Sequence, residues 1–549
     1  MNTSGNIIAP EISINIKMGS TIYNTMETNN LIGYKYLPQL GDKFKAIDPA
    51  SGKEMDGDFY AASLSEVDAA MNLADKAFAI YRNIDRNKKA AFLRSIADEI
   101  TAIGDELIDR AMGETGLPAV RLQGERARTT NQMKMFADLL EEGSWVEAII
   151  DTAIPDRQPL PRADIRKMMV PIGPAVVFGA SNFPLAYSVA GGDTAAALAS
   201  GCPVVVKAHP AHPGTSALVA GAIKKAAEKT GMPEGVFSML YDNGYAIGEA
   251  LVKHPKTKIV TFTGSLKGGM ALMKMARERD EPIPVFAEMG SINPIVLLPL
   301  ALENRAEELA KLYGPITTNA GQFCTKPGLL FAIKSEGLNK FKKALGEGIA
   351  TINSATMLTS GIYSNYDKLS KGLLAEKAVS VIAQSDKLDT GKVNQCLAVV
   401  TEISASVFLA DAKYKEEVFG PYSMLVVADD VAQLEQVISS LHGQLTATVM
   451  AEKEELAKYK SITDKLANLA GRVILNGPPT GVEVGNAINH GGPFPATSDS
   501  RFTSVGTSSI KRFVRPVCWQ NWSEELLPDE LKTDNPLKIW RLFNNEWTK

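Results

Sequence analysis

The sequence predicts two α/β domains, each built on a parallel sheet, with a smaller β element bridging outward from them. Three observations carry this. From residue 174 onward, short β-branched runs alternate with segments rich in Ala, Lys and Glu, the texture of βαβ units. The alternation falls into two series, one closing at Pro284-Val-Phe286 and one opening at Pro294-Ile-Val-Leu-Leu298 and running to about residue 480. The chain has 549 residues, too many for one simple core.

The elements follow in order. Residues 1–28 are polar and lack the apolar core of a signal peptide, so they read as a loose tail or as a start placed too far upstream. Ser63-Leu-Ser-Glu66 is a capping-box pattern, and Val67, Met71, Ala74 and Phe78 follow at helical spacing. Phe92, Ile96, Ile100, Ile103 and Leu107 repeat that spacing and predict one further amphipathic helix. Gly113 and Gly116-Leu-Pro118 end this region, and residues 120–141 form a third helix. The first strand series is Ala175–Phe178, Val204–Val206, Val236–Leu240, Ile259–Phe262 and Pro284–Phe286. The second includes Leu329–Ile333, Ala398–Val400, Met424–Val427, Thr446–Met450 and Val473–Leu475. The charged, Pro-rich stretch 148–168 reads as a protruding hairpin. The expected organisation is a first domain from 29–147 with 169–287, a second from 288–499, and a bridging, oligomerising element from 148–168 with 500–549.

Composition excludes several classes. Hydrophobic residues are 45 % and charged residues 22 %, which excludes global disorder and coiled-coil rods. A net charge of −4 gives no general attraction to nucleic acid or anionic membrane. Residues 168–192 carry no formal charge, but Pro171, Gly173, Pro174, Asn182 and Pro184 break them as a membrane helix. The four cysteines show no metal-ligand spacing and are too sparse for a disulfide framework, so a reducing, cytoplasmic setting and no metal are expected. His209 and His212 read as loop residues.

Four clusters carry chemistry. Phe178-Gly-Ala-Ser181-Asn182-Phe183-Pro184 follows a buried strand, so Asn182 either donates to a developing oxyanion or caps the next helix. Lys207 ends another strand, in Lys207-Ala-His209-Pro210, and either meets a cofactor ribose or phosphate or snorkels to solvent. Gly264-Ser265-Leu-Lys-Gly-Gly269 exposes N–H groups at a helix start, where an anion is favoured. Glu288 ends a buried strand, where desolvation raises a carboxyl pKa and suits a general base. Cys324, in Gly-Gln-Phe323-Cys324-Thr325, is a nucleophile if its surroundings favour the thiolate, and otherwise an inert thiol.

In this order and spacing the clusters resemble the aldehyde dehydrogenase superfamily, from about residue 30 to the C-terminus and including Glu416-Glu417-Val-Phe419-Gly-Pro421 and Asn476. The finer resemblance is to the branch of alpha-ketoglutarate semialdehyde (2,5-dioxovalerate) dehydrogenases and an NADP-dependent fatty aldehyde dehydrogenase. It rests on the run Phe178 to Asp193, Lys207-Ala-His-Pro-Ala-His-Pro213, His490-Gly-Gly-Pro-Phe-Pro-Ala-Thr497, Arg501-Phe-Thr-Ser-Val-Gly506 and Arg515-Pro-Val-Cys-Trp-Gln-Asn521. The resemblance implies that Cys324 is the nucleophile and Glu288 the base that activates water. Asn182 and the Cys324 N–H would form the oxyanion hole. It also implies a nicotinamide cofactor held by Ser181, Lys207, His209, Pro210, Gly264, Ser265, Gly269, Glu417 and Phe419. Phe183, Phe323 and Thr325 would line the substrate tunnel. His490 would lie near the active site, in a substrate or a structural role. At most one of Arg126 and Arg128 would face the tunnel and the substrate carboxylate, the alternative being that both are solvated surface charges.

Two departures matter. Many NAD-using members carry Glu three residues after the lysine; here Pro210 stands there, so NADP is acceptable and NAD remains possible. The usual Glu-Leu-Gly-Gly-Lys is Glu288-Met-Gly-Ser-Ile292, which loses a lysine beside the base. The implied reaction is oxidation of 2,5-dioxovalerate to 2-oxoglutarate by a homodimer or homotetramer. A medium- or long-chain aliphatic aldehyde is the alternative substrate. A cofactor-independent cysteine thioester or ester hydrolase is the alternative class; it leaves Lys207, Ser265 and Glu417 unexplained.

Overall fold

A computed structural model describes residues 26–39 and 41–549. The expectation of a loose tail therefore lies outside the described residues over 1–25. The first strand series forms a seven-stranded sheet in the spatial order Val285–Glu288, Ile259–Thr263, Ala175–Phe178, Val204–Lys207, Phe237–Leu240, Leu31–Ile32 and Lys35–Tyr36. Its first five strands are parallel; the last two form an antiparallel edge hairpin that the sequence reading missed. The second series forms another seven-stranded sheet, Ser380–Gln384, Val399–Ser404, Tyr422–Ala428, Leu329–Ile333, Ile295–Leu297, Gln444–Met450 and Ala470–Leu475. It is parallel except for Ser380–Gln384, a solvent-facing strand without the apolar texture of the others. A five-stranded sheet joins Val514–Gln520, Ile165–Pro171, Ile149–Asp151, Arg541–Phe543 and Glu546–Thr548.

The register of the first sheet explains where chemistry gathers. Phe178 pairs with Lys207 and Phe262, and Thr263 pairs with Glu288, so the residues after each strand emerge at one edge. That edge is the carboxyl end, where open parallel sheets bind ligands. Glu288 is tied down further: Met289 N donates to Ala496 O at 2.8 Å and Ala287 N to Ser498 Oγ at 2.9 Å.

The helices follow their local chemistry. Leu64–Tyr81 begins with the capping box, Ser63 accepting from Glu66 N and the Glu66 carboxylate receiving Ser63 N at 2.7 Å. One expectation fails: the helix drawn through Phe92 and Leu107 is two, Arg86–Ala102 and Asp105–Thr115. Gly104, at φ 71°, turns the chain between them, a conformation that costs glycine little. The apolar period runs on across the break because both helices bury the same side of the chain. No described helix is long and apolar enough to cross a membrane.

Candidate active site

Three separated segments converge on Cys324. The first is the turn before it. Asn319, Ala320 and Gly321 are successive left-handed residues, at φ 51°, 56° and 61°. Two non-glycine residues there store of order 1–3 kcal/mol each, strain that concentrates at functional sites. Gly321 is required by a close approach: a Cβ would lie 2.4 Å from Gly420 O. The Asn293 amide then donates to Cys324 O at 2.9 Å and Lys326 O at 3.0 Å, fixing the segment on both sides of the thiol.

The second segment is the end of Val285–Glu288, and the third is the loop bearing His490. His490 Nε2 lies 3.0 Å from Glu288 Oε1 and 3.5 Å from Cys324 Sγ. Ser504 Oγ donates to the other Glu288 oxygen at 2.7 Å, and His490 N donates to Thr503 Oγ1 at 2.9 Å. His490, expected near the active site in a substrate or a structural role, stands between the thiol and the carboxylate, and its segment is hydrogen-bonded to 503–504, Ser504 N donating to His490 O at 2.9 Å.

The electrostatics correct a second expectation. Burial pushes the Glu288 carboxyl pKa up, as anticipated, but the His490 imidazole and the hydrogen bonds from His490 and Ser504 outweigh it, and the net shift is downward. Burial, and then the Glu288 charge, push the Cys324 thiol well above its usual value. The resting pair is thus a thiol beside a carboxylate, and the thiolate forms only when a neighbour takes its proton.

Asn182 donates from Nδ2 to Gln322 O at 3.0 Å. An amide carries two N–H donors, so one anchors Asn182 to the segment before Cys324 and the other is left for an incoming oxygen. Its loop is held by residues the sequence reading passed over. Buried Glu125 accepts from Leu185 N and Ala186 N, both at 2.9 Å, and pairs with Arg121. Arg121 donates to Asn182 O at 3.1 Å and lies over the rings of Phe183 and Phe323, 4.5 and 5.4 Å from their centroids. Those rings sit 5.6 Å apart and flank the reactive segment; Thr325 is buried beside Cys324.

Of the two arginines proposed on helix Ala119–Glu142, only one reaches this region. Arg126 turns away and donates to Gly104 O at 2.6 Å, closing the break between the two preceding helices. Arg128 donates to Tyr187 Oη and Val482 O, both at 2.9 Å. At about 100° per residue, Arg121, Glu125 and Arg128 fall on one face, a spacing legible in the sequence. Arg472, also missed, has its pKa lowered by burial, which Cys324 and Tyr187 oppose electrostatically, and it donates to Pro479 O. The Nε atoms of both Arg128 and Arg472 are buried without a hydrogen-bond partner among the described residues.

The remaining predicted residues lie at the same sheet edge or on the second sheet's side of Cys324. Burial lowers the Lys207 pKa, opposed by Asp242, yet its ammonium has no hydrogen-bond or ion-pair partner among the described residues. Asp242 is occupied with the N–H groups of Gly244, Ile247 and Gly248. Ser265 caps the helix Leu266–Arg277, whose first turn is exposed along with Gly264. Gly269 is buried inside that helix, where a Cβ would meet Met289 Sδ at 2.5 Å, so its lack of a side chain serves helix-on-strand packing. His209 and His212 stack, ring centroids 5.5 Å apart; burial holds the His209 imidazole neutral, and His212 bonds Ala180 O at 2.8 Å. Ser181 and Pro210 are half-buried nearby. Glu417 lies against Gly290, with Phe419 two residues on. Burial raises the Glu417 carboxyl pKa, and the buried ammonium of Lys326, bonded to Val418 O and Tyr422 O, pulls it back. Lys326 supplies a cation at Glu417 in a sequence whose Glu288-Met-Gly-Ser-Ile292 turn lacks one.

Comparison with known proteins gives a consistent result. Residues 36–493 match the aldehyde dehydrogenase family. The chain is 48 % identical to alpha-ketoglutaric semialdehyde dehydrogenase 2 of Azospirillum brasilense over 515 residues, 93 % of this chain and 98 % of that one. It is 48 % identical to the alpha-ketoglutaric semialdehyde dehydrogenase of Acinetobacter baylyi over 493 residues, 89 % and 93 % of the two chains. In fold it is similar to betaine aldehyde dehydrogenase of Staphylococcus aureus in complex with NAD+, at TM-score 0.78 and 18 % identity over 91 % of this chain and 96 % of that one.

Proposed function

Because the chain belongs to the aldehyde dehydrogenase family, we propose that it oxidises 2,5-dioxovalerate to 2-oxoglutarate, with NADP as the preferred nicotinamide cofactor. The observation that carries the substrate is the pair Arg128, whose charge opposes the rise of the Cys324 thiol pKa, and Arg472, whose guanidinium feels the Cys324 charge; each has a buried Nε without a hydrogen-bond partner among the described residues. A carboxylate between them satisfies donors that otherwise cost about 1–3 kcal/mol apiece to bury. The two 48 %-identical relatives bear names for the same reaction.

The residues divide the work as follows. When bound, the cofactor supplies the acceptor for the aldehyde's hydride. Lys207, unpartnered at the sheet edge, offers its ammonium to the ribose hydroxyls; the exposed first turn at Gly264 and Ser265 offers N–H groups to the pyrophosphate. Glu417 and Phe419 stand on the Cys324 side for the nicotinamide end. Cys324 Sγ attacks the aldehyde carbon as the thiol proton passes to the His490–Glu288 pair, in which His490 Nε2 lies 3.5 Å from Sγ and 3.0 Å from Glu288 Oε1. The free Asn182 amide N–H and the Cys324 N–H receive the oxyanion. Hydride loss leaves an acyl thioester on Sγ. Glu288, kept ionised by its neighbours, then draws a proton from water, and hydrolysis frees the acid and the thiol.

Two experiments test the recognition elements. Arg128→Ala and Arg472→Ala should each lower kcat/KM for 2,5-dioxovalerate by about thirtyfold or more, the loss on truncating one member of a buried charge pair. Hexanal oxidation should fall by clearly less, since it loses only the charge acting on Cys324 and no carboxylate contact. Arg126→Ala should leave both substrates alone. Equal losses on the two aldehydes would refute carboxylate recognition here. For the cofactor, Pro210→Glu should shift the NADP-to-NAD ratio of kcat/KM toward NAD by about tenfold or more, through repulsion of the 2′-phosphate. A wild type that already favours NAD would overturn that inference. The same reading takes a second copy of the chain as partner, since neither edge of the five-stranded sheet is paired with another strand among the described residues, and Trp547 on its last strand is exposed, as are Trp522 and Trp540.

A further inference from the structure

Cys324 Sγ, His490 Nε2 and a Glu288 carboxylate oxygen all lie within 4.8 Å of one another. We propose that these three atoms form a binding site for a thiophilic divalent cation, Zn2+ by chemistry, that reversibly locks the enzyme before substrate arrives. Zn2+ takes sulfur at about 2.3 Å and imidazole nitrogen and carboxylate oxygen at about 2.0–2.2 Å in tetrahedral array, which sets donor-to-donor edges of about 3.2–3.6 Å. The Sγ–Nε2 separation is 3.5 Å and the Nε2–Oε1 separation 3.0 Å, already near those edges, and the third edge, sulfur to carboxylate oxygen, is within 4.8 Å and closes on binding.

The set is soft enough to discriminate. Thiolate, imidazole and carboxylate together select Zn2+ over Mg2+ or Ca2+, which prefer all-oxygen shells. The donors are also held from behind, as metal ligands usually are. Ser504 Oγ fixes the second Glu288 oxygen at 2.7 Å, Thr503 Oγ1 the His490 N–H at 2.9 Å, and Asn293 the Cys324 carbonyl at 2.9 Å. All three come from different stretches of chain, so no fragment presents the set.

Binding exchanges a proton for the cation. The Cys324 S–H bond breaks, the S–Zn bond forms, and the proton passes to solvent. Three protein donors leave the fourth position for water. The sulfur lone pair needed for attack on the aldehyde is then engaged. The inhibition rests on Cys324 being the nucleophile; the binding does not, and the two are separable by experiment.

The test uses the full chain carrying Cys518→Ser, which removes the one exposed thiol. Titration with Co2+ as the spectroscopic probe should give a thiolate-to-cobalt charge-transfer band and the intense visible bands of a tetrahedral ion, at one ion per chain. Zn2+ should abolish the spectrum, protect Cys324 from iodoacetamide, and inhibit aldehyde oxidation reversibly, with a chelator restoring it. Cys324→Ser should lose the charge-transfer band. His490→Asn and Glu288→Gln, checked for intact cofactor binding, should each weaken Co2+ and Zn2+ by about tenfold or more. An octahedral spectrum, or equal affinity in the His490→Asn variant, overturns the three-donor site. If Cys324→Ser abolishes the cobalt band but keeps aldehyde oxidation, the site stands and the nucleophile assignment fails.

Discussion

Cys324→Ala should lose aldehyde oxidation by about 10,000-fold or more while retaining cofactor binding, because no other thiol can reach the same carbon. Cys202 is wholly buried, with its sulfur 3.4 Å from Phe513 O and its pKa raised by burial. Cys396 is buried in the second sheet's core with its sulfur 3.3 Å from Ala355 O, and Cys518 lies on an edge strand of the five-stranded sheet. Cys202→Ala should therefore change kcat by less than about twofold, paired with a modest loss of stability for the removed buried sulfur. The comparison is read by steady-state NADPH formation and by any esterase side activity, both of which need Sγ. Oxidation by Cys324→Ala at near the wild-type rate would end the covalent mechanism.

Glu288→Gln should separate the two halves of the reaction. The first turnover should release about one NADPH per active site, after which the steady rate falls by about 100- to 10,000-fold as the thioester accumulates. Intact-mass analysis reads the trapped acyl group directly. Absence of the burst, with cofactor still bound, would assign Glu288 to the first half. The pH dependence carries a sign. Glu288 is held below its ordinary 4.5, so its basic form persists throughout the neutral range and the acid limb of deacylation falls below the usual carboxylate region. His490→Asn removes the principal lowering influence and leaves burial unopposed, so that limb should move upward. A limb that stays in place would mean that Ser504 alone sets the base.

Much of this site was legible in one sequence because its parts follow strand ends. Asn182, Lys207, Ser265 and Glu288 each come directly after or at the close of an apolar run, and parallel pairing in register brings such positions to one edge. What escaped depends on contacts between segments remote in the chain. The Glu288–His490–Ser504 cluster spans 216 residues between Glu288 and Ser504, and no local period announces it. The sign of the Glu288 shift went wrong for the same reason: burial is visible in a strand's texture, whereas the donors that oppose it are not. Arg126 and Arg128 illustrate a middle case. Helical geometry shows that they diverge, but only the packing of Gly104 against the helix decides which one leaves. Arg121 was within reach, since it shares its face with Arg128, and Arg472 was not, since a charged residue in an edge strand has many bland explanations.

The late arrival of one catalytic wall has a consequence for synthesis. The first sheet is complete by Glu288, yet its edge is closed by Ala496 and Ser498, its base is held by Ser504, and Arg512 pairs with Asp193 at 2.6 Å. A ribosome adding about 5–20 residues per second exposes Asn182 and Cys324 well before His490 emerges. During that interval the nascent chain carries Cys324 without the His490 and Ser504 contacts of the folded site. The complete arrangement forms only when the closing segment docks, so products of translation truncated before His490 should lack aldehyde oxidation.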